Sequence, residues 1–370
     1  LGRILGETVR AGSDVPPFDR SPFDGYAFRS EDSQTASPEH PVTLRILEEI
    51  PAGSVGKRRV VRGTAAKILT GAPIPVGADC VCKFEDTTFT DTSVTITRSY
   101  RSGGNIVLRG EDLTAGDIVA RQGMVIDSAL MGTLATQNVA EPKVYRRPLA
   151  GVITTGSELC AAGEALTGGK IVNSNRYTFQ GVLQDAGCVT EFFGSPGDSV
   201  DEIAEVMASA GQACDLIVTT GGVSVGKKDF MPGVADMVCT RLLFQGIDAK
   251  PGSPVLGAVR GDSVLLALSG NPFASLATFE LLALPALARL SGDIRWRAVK
   301  VRAKMKGNFK KSSNTRRFIR ARIEGGYVSI PEKGHSSGGI GSLSGCNCMI
   351  DVPGCSGPLS EGDVVTVWLF

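Results

Sequence analysis

Histidine is almost absent from this chain. His40 and His335 are the only two among 370 residues, so a mechanism needing a histidine pair, and most zinc sites, would have to recruit both. Aromatic platforms are scarce as well: two Trp and five Tyr leave little on which nucleic-acid bases could stack. Neither sign of charge is in excess, with 39 Lys and Arg against 38 Asp and Glu, which excludes a strong overall field for a polyanion or a membrane surface. No stretch approaches the ~18 consecutive apolar residues of a membrane span. The opening LGRILGETVR lacks the apolar core and small-residue cleavage site of a secretion signal. These absences predict a soluble cytoplasmic protein with no membrane and no nucleic-acid partner.

Nine cysteines, an odd number, fit reduced thiols better than a disulfide framework. Two CxC pairs, Cys80/Cys82 and Cys346/Cys348, invite a metal reading. On a strand both thiols of a pair point to one face, and burial in a core explains them more simply.

The hydrophobic share of 42% is ample for buried cores, and at roughly 100–200 residues per domain the chain divides by composition into three. Residues 1–147 carry short alternating runs such as 42–47 and 94–97, broken by Gly and Pro turns, which predicts a mostly β region. A helix is expected to open at Asp127-Ser128. Residues 148–292 alternate apolar strands (149–153, 189–193, 216–218, 264–268) with helical stretches (174–185, 199–210, 229–237, 272–290), the rhythm of a mostly parallel sheet covered on both faces. Residues 293–370 return to β: the strictly alternating run 299–306 and a closing strand at 364–369 predict a small β-barrel or sandwich with one basic face. Between Arg295 and Arg322 basic residues recur without a single Asp or Glu.

Ligands of parallel sheets bind beyond the carboxyl ends of the strands. Polar and glycine-rich turns fall there, at 154–158, 219–222 and 269–271. The sequence from Thr219 through Thr220-Gly221-Gly222-Val223-Ser224 to Gly226 carries a strand into a glycine turn, and free N–H groups in such a turn can cradle a phosphate. A plain strand–helix turn explains it equally well. Glu158, Asp198 and Asp229 stand at or near strand ends. Each alone could be a helix cap or first-turn acid; together, beside a phosphate, they would need a divalent cation between them. The turns around Lys250-Pro251-Gly252 and Ser269-Gly270-Asn271-Pro272 could hold an ammonium and a helix start toward an anion, or could simply be well-made turns. Asp24-Gly25 reads as a hairpin turn.

In order, SPFDGYA, TGAPIPVGADCV, RGEDL, TTGSEL, TTGGVSVG, KPGSP and LSGNP resemble the molybdopterin molybdenumtransferase family, which is similar in turn to the C-terminal domain of gephyrin. The resemblance covers nearly the whole chain. It implies a multidomain α/β fold: a discontinuous mostly-β N-terminal region of two subdomains, one inserted in the other, a central molybdopterin-binding α/β domain and a C-terminal β-barrel, in an elongated homodimer, with a further helix ahead of Leu1. It implies insertion of molybdate into adenylylated molybdopterin with release of AMP, assisted by Mg²⁺, and a working relation with the molybdopterin adenylyltransferase. Because the pterin supplies its own sulfurs, such an enzyme needs no cysteine or histidine ligands.

Carried over by position, the resemblance implies catalytic roles for Asp24, Thr70, Glu158, Asp198 and Asp229, the last three also as metal ligands. It implies substrate binding by Thr220, Gly221, Gly222, Ser224, Lys250, Ser269, Pro272, Arg320 and Ser337. The cleft is expected to combine one subunit's α/β domain with its partner's N-terminal and barrel domains, which would give the basic stretch 295–322 its purpose; a solvated strand face is the alternative. Two departures bear on anion affinity: Ser253 where many members have a second lysine, and Ser269 where many have proline. A tungstate-inserting homologue, a peptide-binding scaffold like gephyrin, and an AMP-releasing hydrolase of the competence-damage type are the rival readings.

Overall fold

The computed structural model describes residues 1–223, 230–297, 299–332 and 336–370. Two compact units divide the chain, Leu1–Lys143 and Val144–Phe370.

In the first unit a six-stranded sheet runs in the order Cys80–Lys83, Gly25–Phe28, Thr64–Ile68, Val42–Ile50, Ser93–Ile96, Thr87–Phe89. Its central strands bury both faces, with Tyr26, Phe28, Leu44 and Ile96 on one side and Ala27, Ile50, Ile68 and Val81 on the other. Val9–Arg10 pairs with Ile118–Ala120, so that short ribbon brackets the sheet in sequence. Helix Ser128–Thr136 follows, and the Asp127 carboxylate caps it by accepting from the Leu130 N–H. Cys80 and Cys82 face one core, as strand alternation requires, and burial pushes the Cys82 thiol up to about 12. Asp24-Gly25 makes no hairpin. Gly25 opens a central strand that pairs on both sides, and a Cβ there would lie 1.8 Å from the Cys82 carbonyl oxygen.

The second unit opens with a mixed sheet ordered Val189–Gly194, Leu149–Thr154, Leu216–Thr220, Ser263–Leu268, Leu256–Arg260, Arg241–Gln245. The first four strands are parallel; Leu256–Arg260 pairs antiparallel with Ser263–Leu268, and Arg241–Gln245 antiparallel with it in turn. Val152, Val218 and Leu266 point to helices Ser174–Asp185 and Pro272–Ser291, while Ile153, Ile217 and Leu265 point to Val200–Ala213 and Met231–Val238. Burial on both faces is why these strands read as unbroken apolar runs. Pro272–Ser291 is long and apolar enough to cross a membrane by length and composition, yet 61% of that stretch is buried, with Phe279, Ala283 and Leu287 in the sheet's core.

Downstream, Arg316–Glu324 pairs with both Tyr327–Ser329 and Cys348–Val352. Lys300–Lys306 and Val364–Leu369 complete the circuit, so five strands close into a barrel around Met305, Ile319, Val328, Ile350 and Val367. Lys300, Arg302, Lys304 and Lys306 lie on its exposed face. Cys348 is a strand residue but Cys346 precedes the strand, so that pair does not share one strand face. Ala249–Lys250, from the α/β half of the chain, adds to the barrel as a parallel partner of Arg316–Arg317.

Candidate functional site

Thr154, Thr220 and Leu268 lie side by side in register at the carboxyl ends of three parallel strands. The turns leaving Thr220 and Leu268, with the turn at 250–254, form one wall of a cavity of about 470 Å³, and the barrel forms the other. Lys250, Ser269 and Gly222 reach it from the α/β side, Arg320 and Ser337 from the barrel. These residues come from one chain. Pairing of Ala249–Lys250 with Arg316–Arg317 brings barrel and strand ends together within the unit.

Arg320 is 1% exposed. Its guanidinium donates to the carbonyls of Ser336 and Gly339 and packs 4.2 Å from the centroid of the Phe273 ring. Among the described residues no ion pair neutralises it, and burial lowers its pKa. The Phe273 N–H donates to the Ser337 carbonyl at 3.0 Å, tying the barrel loop to the start of the long helix. Lys250, Lys311, Arg317 and Arg320 all line the cavity, and among the described residues no acid does. A desolvated cation without a counter-charge is costly, so this wall favours an anion.

Other expected contacts fall differently. Thr220 is buried beneath the turn, with its carbonyl accepting from the Thr155 N–H. Gly221 is confined by φ +99° and by a Cβ position 2.5 Å from the Thr155 carbonyl oxygen, and its N–H donates to the Leu268 carbonyl. That amide is not free for phosphate, and only Gly222 of the pair reaches the cavity. Pro272 starts the helix behind Asn271, which lines the wall in its place. The Ser253 hydroxyl donates to the Ile247 carbonyl. Ser224 and Asp229 lie outside the described residues.

Glu158 and Asp198 occupy loops leaving adjacent strands, and Ser157 Oγ donates to Asp198 Oδ2 at 3.3 Å. The Glu158 carboxylate folds over Gly156, where a Cβ would sit 2.6 Å from Oε2. Among the described residues no group of three His, Cys, Asp or Glu is arranged to hold a metal. In the first unit, the Thr70 hydroxyl and N–H both donate to Asp24 Oδ1, at 2.7 and 2.6 Å, and those bonds lower the Asp24 pKa.

Asn173 and Asn175 were not marked by the sequence reading. Asn173 Nδ2 donates to Thr154 Oγ1 and Asn175 Nδ2 to the Gly270 carbonyl, so both fasten the strand-end turns. Two buried asparagines at a helix start are the signal that could have exposed them.

A cationic cavity, lined by no acid among the described residues, lies between α/β strand ends and a fused barrel and marks a multidomain α/β protein. The comparisons with known proteins give the class its family. Residues 1–137 match the MoeA N-terminal region (domain I and II), residues 151–289 the family described as "Probable molybdopterin binding domain", and residues 302–370 the MoeA C-terminal region (domain IV). The molybdopterin molybdenumtransferase of Staphylococcus epidermidis is 37% identical over 372 residues, covering 100% of this chain and 89% of the relative. The Staphylococcus aureus enzyme of that name is 36% identical with the same coverage. The solved molybdopterin biosynthesis MoeA protein of Pyrococcus horikoshii has a TM-score of 0.90 at 30% identity, covering 100% of this chain and 92% of that one. The chain belongs to the molybdopterin molybdenumtransferase family.

Proposed function

We propose that the protein inserts molybdate into adenylylated molybdopterin and releases AMP. Family membership assigns the chain to molybdenum cofactor biosynthesis. The observation that carries the finer reading is Arg320, a buried guanidinium that no acid among the described residues neutralises. Molybdate is a tetrahedral dianion, and charge-assisted bonds from a guanidinium and an ammonium are the strong way to hold one. Lys250 and Arg320 would fix the oxyanion, while the Gly222 and Ser269 turns would bear on the phosphate side of the pterin. Glu158 and Asp198 would hold Mg²⁺, which when bound neutralises the phosphoanhydride and the leaving AMP. Asp24 and Thr70, joined by their hydrogen bonds, would act together on substrate. The working form in this reading is a cytoplasmic homodimer, a mass light scattering would read, receiving its substrate from the molybdopterin adenylyltransferase.

Release of AMP from adenylylated molybdopterin tests the reading. AMP should appear with molybdate and Mg²⁺ and cease when the cation is chelated. Glu158→Ala should fold normally and lower the apparent affinity for Mg²⁺ by at least roughly tenfold. A parallel assay with tungstate measures metal preference. AMP release that ignores both oxyanions would mark a simple hydrolase, and no release at all would favour a scaffold.

A further inference from the structure

We infer that Arg317 is a binding residue for the oxyanion, a second guanidinium that works with Lys250. The inference rests on the oxyanion reading of the cavity above and adds a residue to it. Arg317 lines the cavity, and its Nε is buried with no hydrogen-bond partner. A buried donor on a permanently charged group calls for an acceptor. None of the described carboxylates supplies one, because the nearby Asp351 is engaged by the neighbouring Arg316 and by Trp368 Nε1.

Its position is set by the backbone. Parallel pairing puts Lys250 opposite Arg317, so two adjoining strands deliver two cations to one enclosure. The guanidinium carbon lies 5.7 Å from the ring centroid of Phe309, itself a lining residue. Strand alternation puts Arg317 on the face that carries Ile319, where Lys250 is its register partner, while Arg320 leaves the opposite face toward Phe273. Across the cavity Ser253 brings no charge and turns its hydroxyl to the Ile247 carbonyl. The barrel therefore supplies both guanidinium groups. A planar fork beside an ammonium suits a tetrahedral dianion better than a monoanion.

The test is calorimetric titration of the full chain with molybdate, and separately with tungstate, in the absence of the pterin. Arg317→Gln should weaken binding by about tenfold or more, and Arg317→Lys, which keeps the charge but loses the fork, by less. In the AMP-release assay the KM for molybdate should rise by a similar factor while the KM for adenylylated molybdopterin holds, a split that general loosening would not produce. Wild-type affinity in Arg317→Gln would overturn the inference; should that variant not fold, unchanged affinity in Arg317→Lys would do so. A wild-type chain that binds neither oxyanion would bring down the proposed function together with the inference, whereas binding that ignores position 317 brings down the inference alone.

Discussion

At the scale of single residues, Arg320 concentrates the argument. It holds two carbonyls, stacks on Phe273 and carries a charge that no described acid neutralises. Arg320→Met should keep most of the volume, leave two buried acceptors unmet and remove the cation. We expect a loss of molybdate affinity of about 100-fold and a stability loss of about 1–3 kcal/mol, read by titration calorimetry and by denaturant unfolding. Lys250, Ser269, Arg320 and Ser337 are distant in sequence yet line one cavity; motif order made them legible. Arg317 and Lys311 were not, because alternation in a basic run says only that cations share a face, and barrel closure decides which meet the cavity. Gly221 shows the converse: its need for positive φ is visible in the sequence, whereas the Leu268 carbonyl that takes its N–H is 47 residues away.

At the scale of elements, what the sequence showed well was whatever depends on local pattern. Helix Ser174–Asp185 and strand Val364–Leu369 fall where periodicity puts them, and Asp127 caps its helix. The strands Arg241–Gln245 and Leu256–Arg260 escaped, since they join the sheet antiparallel, the second through a tight turn at Gly261-Asp262 whose glycine has φ +57°. Gly252 tests how strictly one turn fixes the site. Its φ is +95°, and a Cβ would lie 2.3 Å from Thr278 Cγ2 and 2.9 Å from the Ala274 carbonyl oxygen, both on the long helix. Gly252→Ala combines left-handed strain with overpacking, so we expect a stability loss of about 3 kcal/mol. Displacement of the neighbouring Lys250 should raise the KM for molybdate. Thermal melting checks the first expectation and AMP-release kinetics the second.

At the scale of the whole molecule, the balance of buried charge sets the response to pH. The Arg146 hydrogen bonds hold the Asp215 carboxyl below the usual range, with the Leu149 N–H adding to them against the opposing effect of burial. A group so depressed contributes stability above its unfolded pKa, and that stability is lost as pH falls through the folded value. Glu280 works in the other direction. It lines a smaller hollow between the long helix and the barrel, and burial raises its pKa from 4.5 to about 7. Arg295, on the same hollow, is already bonded to Asp293. The folded chain therefore holds a proton at Glu280 that the unfolded chain has released, so stability is full below pH 4.5 and declines as pH rises through about 7. Because the residue is only partly buried, the cost at pH 8 is about 2 kcal/mol after allowing for solvent screening. Glu280→Gln cannot ionise and should be the more stable chain at pH 8, with the advantage vanishing at pH 4.5. Denaturant midpoints at the two pH values decide it: equal midpoints for variant and wild type at pH 8 would mean that this carboxyl titrates in the folded protein as it does in the unfolded chain.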